Sequence, residues 1–307
     1  MRGIRNMRAD VFCQTEAMVK NEGYYLPDGA RWVDLQVTKI AKTSKIRAGA
    51  PSSKYCVELL DEANGKKRCT REQVDHTDCE KDVDASKSLS VDVIQEDCLI
   101  VAQEHVRNGN RVAVLNMASA GKPGGGFRSG AGAQEENLHR RSDLWRFLSE
   151  QGKKYYPLTG DCALLSEDVT VFRGTERNGY DVLPEPFQIC VISCAALRNP
   201  HLAIGTPAGF EPELSTKSVQ ETRVRVQAIL SAARSSACKV IVLSAFGCGA
   251  FGNPPRHVAT IFREVLATEY ANEFSKVIFS IIDDHNAWRS HNPQGNVLPF
   301  KEVFADP

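Results

Sequence analysis

Apolar residues recur along this chain in two rhythms. From Ser90 onward, short apolar runs alternate with longer segments whose apolar positions fall three and four apart. Residues 91–94, 111–118, 169–172, 187–195, 239–244 and 276–283 have the length and β-branched content of strands. The run Val240-Ile241-Val242-Leu243 shows no polar alternation, as befits a strand covered on both faces. Between these runs, residues 97–109, 134–150, 216–234 and 256–273 carry helical spacing; in the third, Val219, Val226, Ile229, Leu230 and Ala233 fall on one side. Strands alternating with helices predict a three-layer α/β/α sandwich around a mixed sheet, with ligands at the carboxyl ends of the strands.

Before Ser90 the rhythm is weaker. A helix is expected over residues 1–22, closed by Gly23, followed by a turn at 24–29 and short strands at 32–35 and 55–59. Residues 61–88 are the most polar part of the chain and suggest a surface excursion or linker. Residues 1–88 therefore divide off as an N-terminal extension packed on a main domain of 89–307. The segment 165–169 is expected as a loop at the cleft, and the proline-bearing tail 292–307 as a surface strap without chemistry.

Charge and cysteine content narrow the classes. Thirty-eight Lys and Arg balance thirty-eight Asp and Glu, and no basic block exceeds Lys66-Lys67-Arg68. A sequence-independent grip on nucleic acid is not expected, and an anionic ligand must be held by local donors. No stretch approaches the ~18 apolar residues of a membrane span, and Arg2, Arg5 and Arg8 precede no apolar signal-like run. The ten cysteines are scattered and read as reduced thiols of a soluble intracellular protein, cytoplasmic or nuclear. Cys69, His76 and Cys79 lack a paired Cys-x-x-Cys, so no metal and no cofactor are expected.

The densest candidate chemistry is Gly124-Gly125-Gly126-Phe127-Arg128-Ser129-Gly130-Ala131-Gly132-Ala133-Gln134-Glu135-Glu136. It lies between a predicted strand and a predicted helix. Glycine lets a ligand approach the main chain, and free N–H groups at a helix start suit phosphate. Such loops are often only turns, and glutamate in a first helical turn is a common answer to the dipole. The two adjacent glutamates should diverge by about 100° on a helix, so their roles should differ.

A second loop, Gly247-Cys248-Gly249-Ala250-Phe251-Gly252, follows another strand and is formally a dinucleotide fingerprint. Asn253-Pro254-Pro255 argues against that use, because a residue before proline is pushed out of helical φ/ψ. No acidic residue stands about 20 positions on, Asp283 lying further away. A diphosphate cradle of backbone N–H groups is preferred. Phe246 and Phe251 would wall the cleft, though Phe246 is as readily a core residue.

Three glycines, seven residues and then Gln-Glu-Glu resemble the signature of the poly(ADP-ribose) glycohydrolase family. With Leu115-Asn116-Met117-Ala118-Ser119 before it and the loop 247–253 after it, the chain resembles the microbial-type branch over roughly residues 89–285. The resemblance implies a macro-domain-like fold and cleavage of ribose–ribose O-glycosidic bonds in poly(ADP-ribose), with release of ADP-ribose, in ADP-ribosylation signalling such as the DNA damage response. It implies Glu136 as the catalytic acid/base, Glu135 as the ribose-positioning carboxylate, and Gln134 as an ordering residue. Asn116 and Ser119 would contact the distal ribose, and Gly124, Gly125, Gly126 and 247–252 would line the substrate. Asp97 matches a purine-side acid of macro-like folds and is equally a helix cap. His139, Arg140 and Arg141 are expected on a solvated face. Poly(ADP-ribose) or ADP-ribosylated protein would be the partner of a monomer. Alternatives are hydrolysis of mono-ADP-ribosylated protein and a non-catalytic ADP-ribose reader.

Overall fold

The structure, a computed structural model, describes residues 2–37, 41–48, 57–60, 67–70, 89–205 and 211–305. Most of the polar segment 61–88 and residues 55–56 lie outside them, as do His76 and Cys79 of the weighed metal set.

The strands are β1 (Gly23–Tyr25), β2 (Trp32–Asp34), β3 (Thr43–Arg47), β4 (Val57–Leu60), β5 (Lys67–Thr70), β6 (Ser90–Ile94), β7 (Val112–Met117), β8 (Cys162–Arg173), β9 (Val182–Cys194), β10 (Val240–Leu243) and β11 (Lys276–Ser280). The helices are α1 (Arg2–Lys20), α2 (Cys98–Arg107), α3 (Gln134–Arg141), α4 (Thr216–Ser235), α5 (Pro255–Glu269) and α6 (Val297–Ala305). β1 and β2 form a hairpin; the others form one sheet in the order β5-β4-β3-β8-β9-β7-β10-β11-β6.

Five neighbouring strands, β9, β7, β10, β11 and β6, run parallel, and β8, β3, β4 and β5 extend the sheet antiparallel. Alternate residues of the parallel strands feed opposite cores. Ala113, Leu115, Ile241, Leu243, Val277 and Phe279 face α4, α5 and α6, whereas Val112, Val114, Val240, Val242 and Ile278 face α2 and α3. Both faces are covered, so the expected sandwich forms. The carboxyl ends of β6, β7, β9, β10 and β11 share one edge, where both glycine loops emerge. A third cluster joins Phe12 and Val19 of α1 and Tyr24 of β1 to Phe127, Trp145 and Phe172, seating the N-terminal helix beside the first glycine loop.

Several expectations change. Helix α1 closes at Glu22, whose φ is +55°, while Gly23 opens β1 and leaves room for the Trp32 ring. The helix expected to Glu150 stops at Arg141. Ser142 turns extended and bridges to Val171 of β8, and its hydroxyl donates to the Leu138 carbonyl; tertiary pairing overrides the local pattern. The expected cleft loop 165–169 is strand β8 with a bulge after Ser166. Its Glu167 and Asp168 pair with Arg111, at the amino end of β7 and so on the edge opposite the glycine loops. The tail is no mere strap: Val297, Pro299, Phe300 and Val303 of α6 are buried, and Phe300 packs on Phe279. Phe300→Ala should cost about 3–5 kcal/mol by opening a cavity, read as a lower denaturant midpoint. An unchanged midpoint would show that α6 does not belong to the cooperative unit.

Candidate active site

The first glycine loop leaves β7 and returns into α3, and Gln-Glu-Glu closes it. The Gln134 amide donates to the Leu115 carbonyl at 2.6 Å, and its Oε1 accepts the Met117 N–H at 2.9 Å, tying the helix start to the end of β7. Glu135 accepts the N–H of Ser119 at 2.7 Å and of Gly124 at 3.0 Å. Glu136 accepts the N–H of Gly126 at 2.9 Å and, as a capping box without a capping hydroxyl, that of Ala133 at 3.0 Å. Both glutamates are buried.

Two expectations fail here. The N–H groups of the three glycines are not free for phosphate: Gly124 and Gly126 donate to the two glutamates and Gly125 to the Lys122 carbonyl. Nor do the carboxylates diverge. A Cβ on Gly125 would lie 2.5 Å from Glu136 Oε1 and 3.0 Å from Glu135 Oε2, at a φ of +57°. The side chains bend back onto one glycine, which must be glycine for both reasons.

Burial dominates the electrostatics. It pushes the Glu135 carboxyl up to about 8, the two backbone donors opposing and the neighbouring Glu136 charge adding to the rise. The same burial holds His139 neutral, its pKa lowered to about 4. The His139 Nδ1–H donates to the Glu135 carbonyl at 2.8 Å, its ring packs on Phe127, and a Cβ on Gly124 would meet its Nε2. His139, Arg140 and Arg141 are all buried, correcting the solvated face. The polar face of α3 points inward because each cation has an internal partner. Arg140 reaches Tyr180 and the Ala131 carbonyl; Arg141 reaches Asp97 and the Arg173 carbonyl.

Asn116, fully buried at the end of β7, donates to Ser193 Oγ at 3.0 Å. Its Oδ1 has no partner among the described residues. Ser119 offers its hydroxyl to the Lys122 N–H. Asp97 caps α2, accepting from Leu99 and Ile100, and pairs with Arg141 at 2.8 Å. Of its two expected roles the cap is realised, and the ion pair joins α2 to α3.

The second loop follows β10, the parallel neighbour of β7. Gly247, at φ +78°, lets the chain fold over Asn253, whose amide donates to the carbonyls of Leu197 and Gly247. His291 and Asn292 donate to the Cys248 carbonyl from the tail. Among the described residues, the N–H groups of Gly247, Gly249, Ala250 and Phe251 donate to nothing, whereas those of Cys248 and Gly252 are taken by turns. Unpartnered donors gathered in one loop are what an anion cradle requires. The Cys248 side chain is buried, and Phe246, 1% exposed, belongs to the core and does not wall the cleft. Phe251 stays partly exposed. Asn253, His291 and Asn292 were not singled out as contributors; the last two sit far along the chain with no local pattern to mark them. A hollow of about 300 Å³ beside α4, lined by Gly160, Gln220, Glu221, Val224 and Arg225, includes none of the site residues.

Residues 13–174 match the family described as "Microbial-type PARG, catalytic domain". Among solved structures, the chain is similar to poly(ADP-ribose) glycohydrolase from Thermomonospora curvata bound to the inhibitor ADP-HPD. The identity is 27%, with 97% of this chain and 99% of that one covered and a TM-score of 0.66. A second structure of the Thermomonospora curvata protein gives 28% identity, the same coverage and a TM-score of 0.67. The glycohydrolase from Deinococcus radiodurans in complex with ADP-ribose is 30% identical over 71% of this chain and 84% of that one, with a TM-score of 0.58. No curated protein matches the sequence.

The buried acid gives a pH signature. Glu135 keeps its proton up to about pH 8 folded, against 4.5 for an ordinary glutamate. Its contribution to stability is complete below the lower value, declines as pH rises and is gone above the upper one. Glu135→Gln has no such dependence. Its stability should gain on wild type between roughly pH 5 and 9, by an amount on the order of a few kcal/mol, followed by thermal melting. A difference that stays constant with pH would show Glu135 already ionised at the acid end.

Proposed function

This chain belongs to the microbial-type poly(ADP-ribose) glycohydrolase family and is a glycosidase acting on poly(ADP-ribose); from that premise we propose the roles of its residues. Glu136 is the acid/base, Glu135 positions the ribose, and the free N–H groups of 247, 249, 250 and 251 hold the diphosphate. All of these residues fall within 89–307, while residues 1–88 are no separate extension: they supply α1 and the strands β3, β4 and β5 of the same sheet.

One observation carries this reading. Two buried carboxylates converge at the end of β7, and the unpartnered donors follow the neighbouring parallel strand β10. A sugar between the loops would meet carboxyls on one side and anion-binding amides on the other. Glu136 delivers its proton to the leaving ribose oxygen as the glycosidic bond breaks. The anomeric carbon passes through an oxocarbenium-like state, and water adds to it while returning a proton to Glu136. Glu135 accepts or shares a ribose hydroxyl hydrogen, and Asn116 and Ser119 border the same sugar. The scheme uses a proton donor and water and calls on no metal. The substrate is the polymer on ADP-ribosylated proteins, the product ADP-ribose, and the working form a monomer in the cytoplasm or nucleus.

Release of ADP-ribose from automodified polymer tests the assignment. Wild type should turn over, and Glu136→Gln should lose at least about 100-fold while still binding ADP-ribose by calorimetry. Wild-type binding without turnover of polymer would sink the reading in favour of a reader or of a hydrolase for mono-ADP-ribosylated protein.

A further inference from the structure

Helix α1 lies directly over the arch that presents Glu136. The glutamate's two acceptor bonds go to Gly126 and Ala133, the two ends of an eight-residue arch. The middle of the arch is held from inside by Arg140, whose Nη1 donates to the Ala131 carbonyl at 2.8 Å. Arg140 also donates from Nε to the Tyr180 hydroxyl at 2.9 Å, and Tyr180 donates to Glu176 at 2.7 Å. Glu176 in turn takes a forked pair of bonds from Arg8 of α1, at 2.8–3.2 Å. A relay of alternating donors and acceptors thus runs from α1 to the arch.

The outer side of the arch is closed by the same helix. A Cβ on Gly130 would lie 2.0 Å from the Arg5 carbonyl, and one on Gly132 would lie 2.1 Å from the Arg8 guanidinium. Thr15 donates to the Arg140 carbonyl at 2.7 Å, and Phe12 packs edge-on against Phe127 at 4.4 Å. Arg8 therefore touches the arch directly and through Glu176, Tyr180 and Arg140.

We propose that α1 is a clamp on the catalytic arch and that Arg8 is a positioning residue for Glu136. The inference rests on Glu136 being the acid. A planar, forked guanidinium suits the task, since it fixes Glu176 in two directions where an ammonium would fix one point. With Arg8 gone, Glu176 keeps only Tyr180, the space over Gly132 opens, and the arch loses its outer stop. The reacting carboxylate then samples wider positions, which lowers turnover more than binding, since sub-ångström placement governs the chemical step.

The test measures kcat on polymer, ADP-ribose affinity and melting temperature for a small set of variants of the full chain. Arg8→Ala should lower kcat about tenfold with ADP-ribose affinity within about threefold, and Arg8→Lys should fall between it and wild type. Gly132→Ala should act like Arg8→Ala by displacing the guanidinium, and the double variant should be no worse than either single one. Val19→Ala, which thins the far end of the α1 packing without touching the relay, should lower the melting temperature and keep kcat. Wild-type turnover with Arg8→Ala within twofold, additive losses in the double variant, or an equal kcat loss in Val19→Ala would each overturn the clamp alone. Absence of turnover in wild type would overturn the role of Glu136 and the clamp with it.

Discussion

Two neighbouring carboxylates taken out of water are the constraint on which the rest of this structure depends. Without donors such a pair would be expelled, and even with them burial leaves Glu135 holding its proton up to about pH 8. The chain answers by wrapping a glycine loop around the pair, so that Ser119, Gly124, Gly126 and Ala133 each donate a backbone N–H into it. Side chains on the innermost residue would strike the carboxylate oxygens themselves. The glycines here serve the acids before they serve any ligand, which reverses the usual reading of such a loop. The order matters chemically: carboxyls with fixed acceptor geometry are pre-aimed, and pre-aiming is what a proton donor in a glycosidase requires.

This use of the first loop explains the separate second one. Its donors Gly247, Gly249, Ala250 and Phe251 have no partner among the described residues, while the tight turn over Asn253 and the grip of His291 and Asn292 on the Cys248 carbonyl hold the loop in shape. Parallel pairing of β7 with β10 then brings the partnered donors of the first loop and the unpartnered donors of the second to one edge of the sheet. On the proposed diphosphate role of the second loop, the protein has no need of a global positive field, in keeping with its zero net charge.

How much of this was legible in the sequence follows from how local each determinant is. The strand rhythm of β6, β7, β10 and β11 and the Gln134-Glu135-Glu136 signature are written in contiguous residues; the strands form where the rhythm places them, and the signature points to the family the chain belongs to. The end of α3 was not legible, because Ser142 leaves the helix to pair with Val171, 29 positions on in the numbering. The inward face of α3 was hidden for the same reason. Arg140 and Arg141 have the composition of a solvated stripe until Tyr180 and Asp97 are folded against them. Phe246 read as cleft or core with equal force, and only the packing of α4 and α5 against β10 decides for the core. Asp97 is the complementary case: its capping role was legible, its ion pair with Arg141 was not.

The buried cations repay a closer physical look. Arg140 and Arg141 lie in the last turn of α3, and Glu135 and Glu136 in its first. Each sign sits where the helix dipole favours it, and burial strengthens that preference by removing the screening water. A helix of eight residues is too short to be stable by itself. Its two ends are instead fixed by charge: acids held in the glycine loop at one end, cations held by Tyr180, Asp97 and backbone carbonyls at the other. Hydrophobic residues of similar volume would hold such a helix at least as firmly. They could not determine how it is rotated about its own axis, since an apolar contact tolerates several orientations, whereas Arg141 is fixed from two sides, by Asp97 on Nη1 and by the Arg173 carbonyl on Nε. On the proposed role of Glu136, the rotation of α3 is what aims it, so the cost of burying these charges is met by a geometry that the proposed chemistry needs and packing alone does not specify.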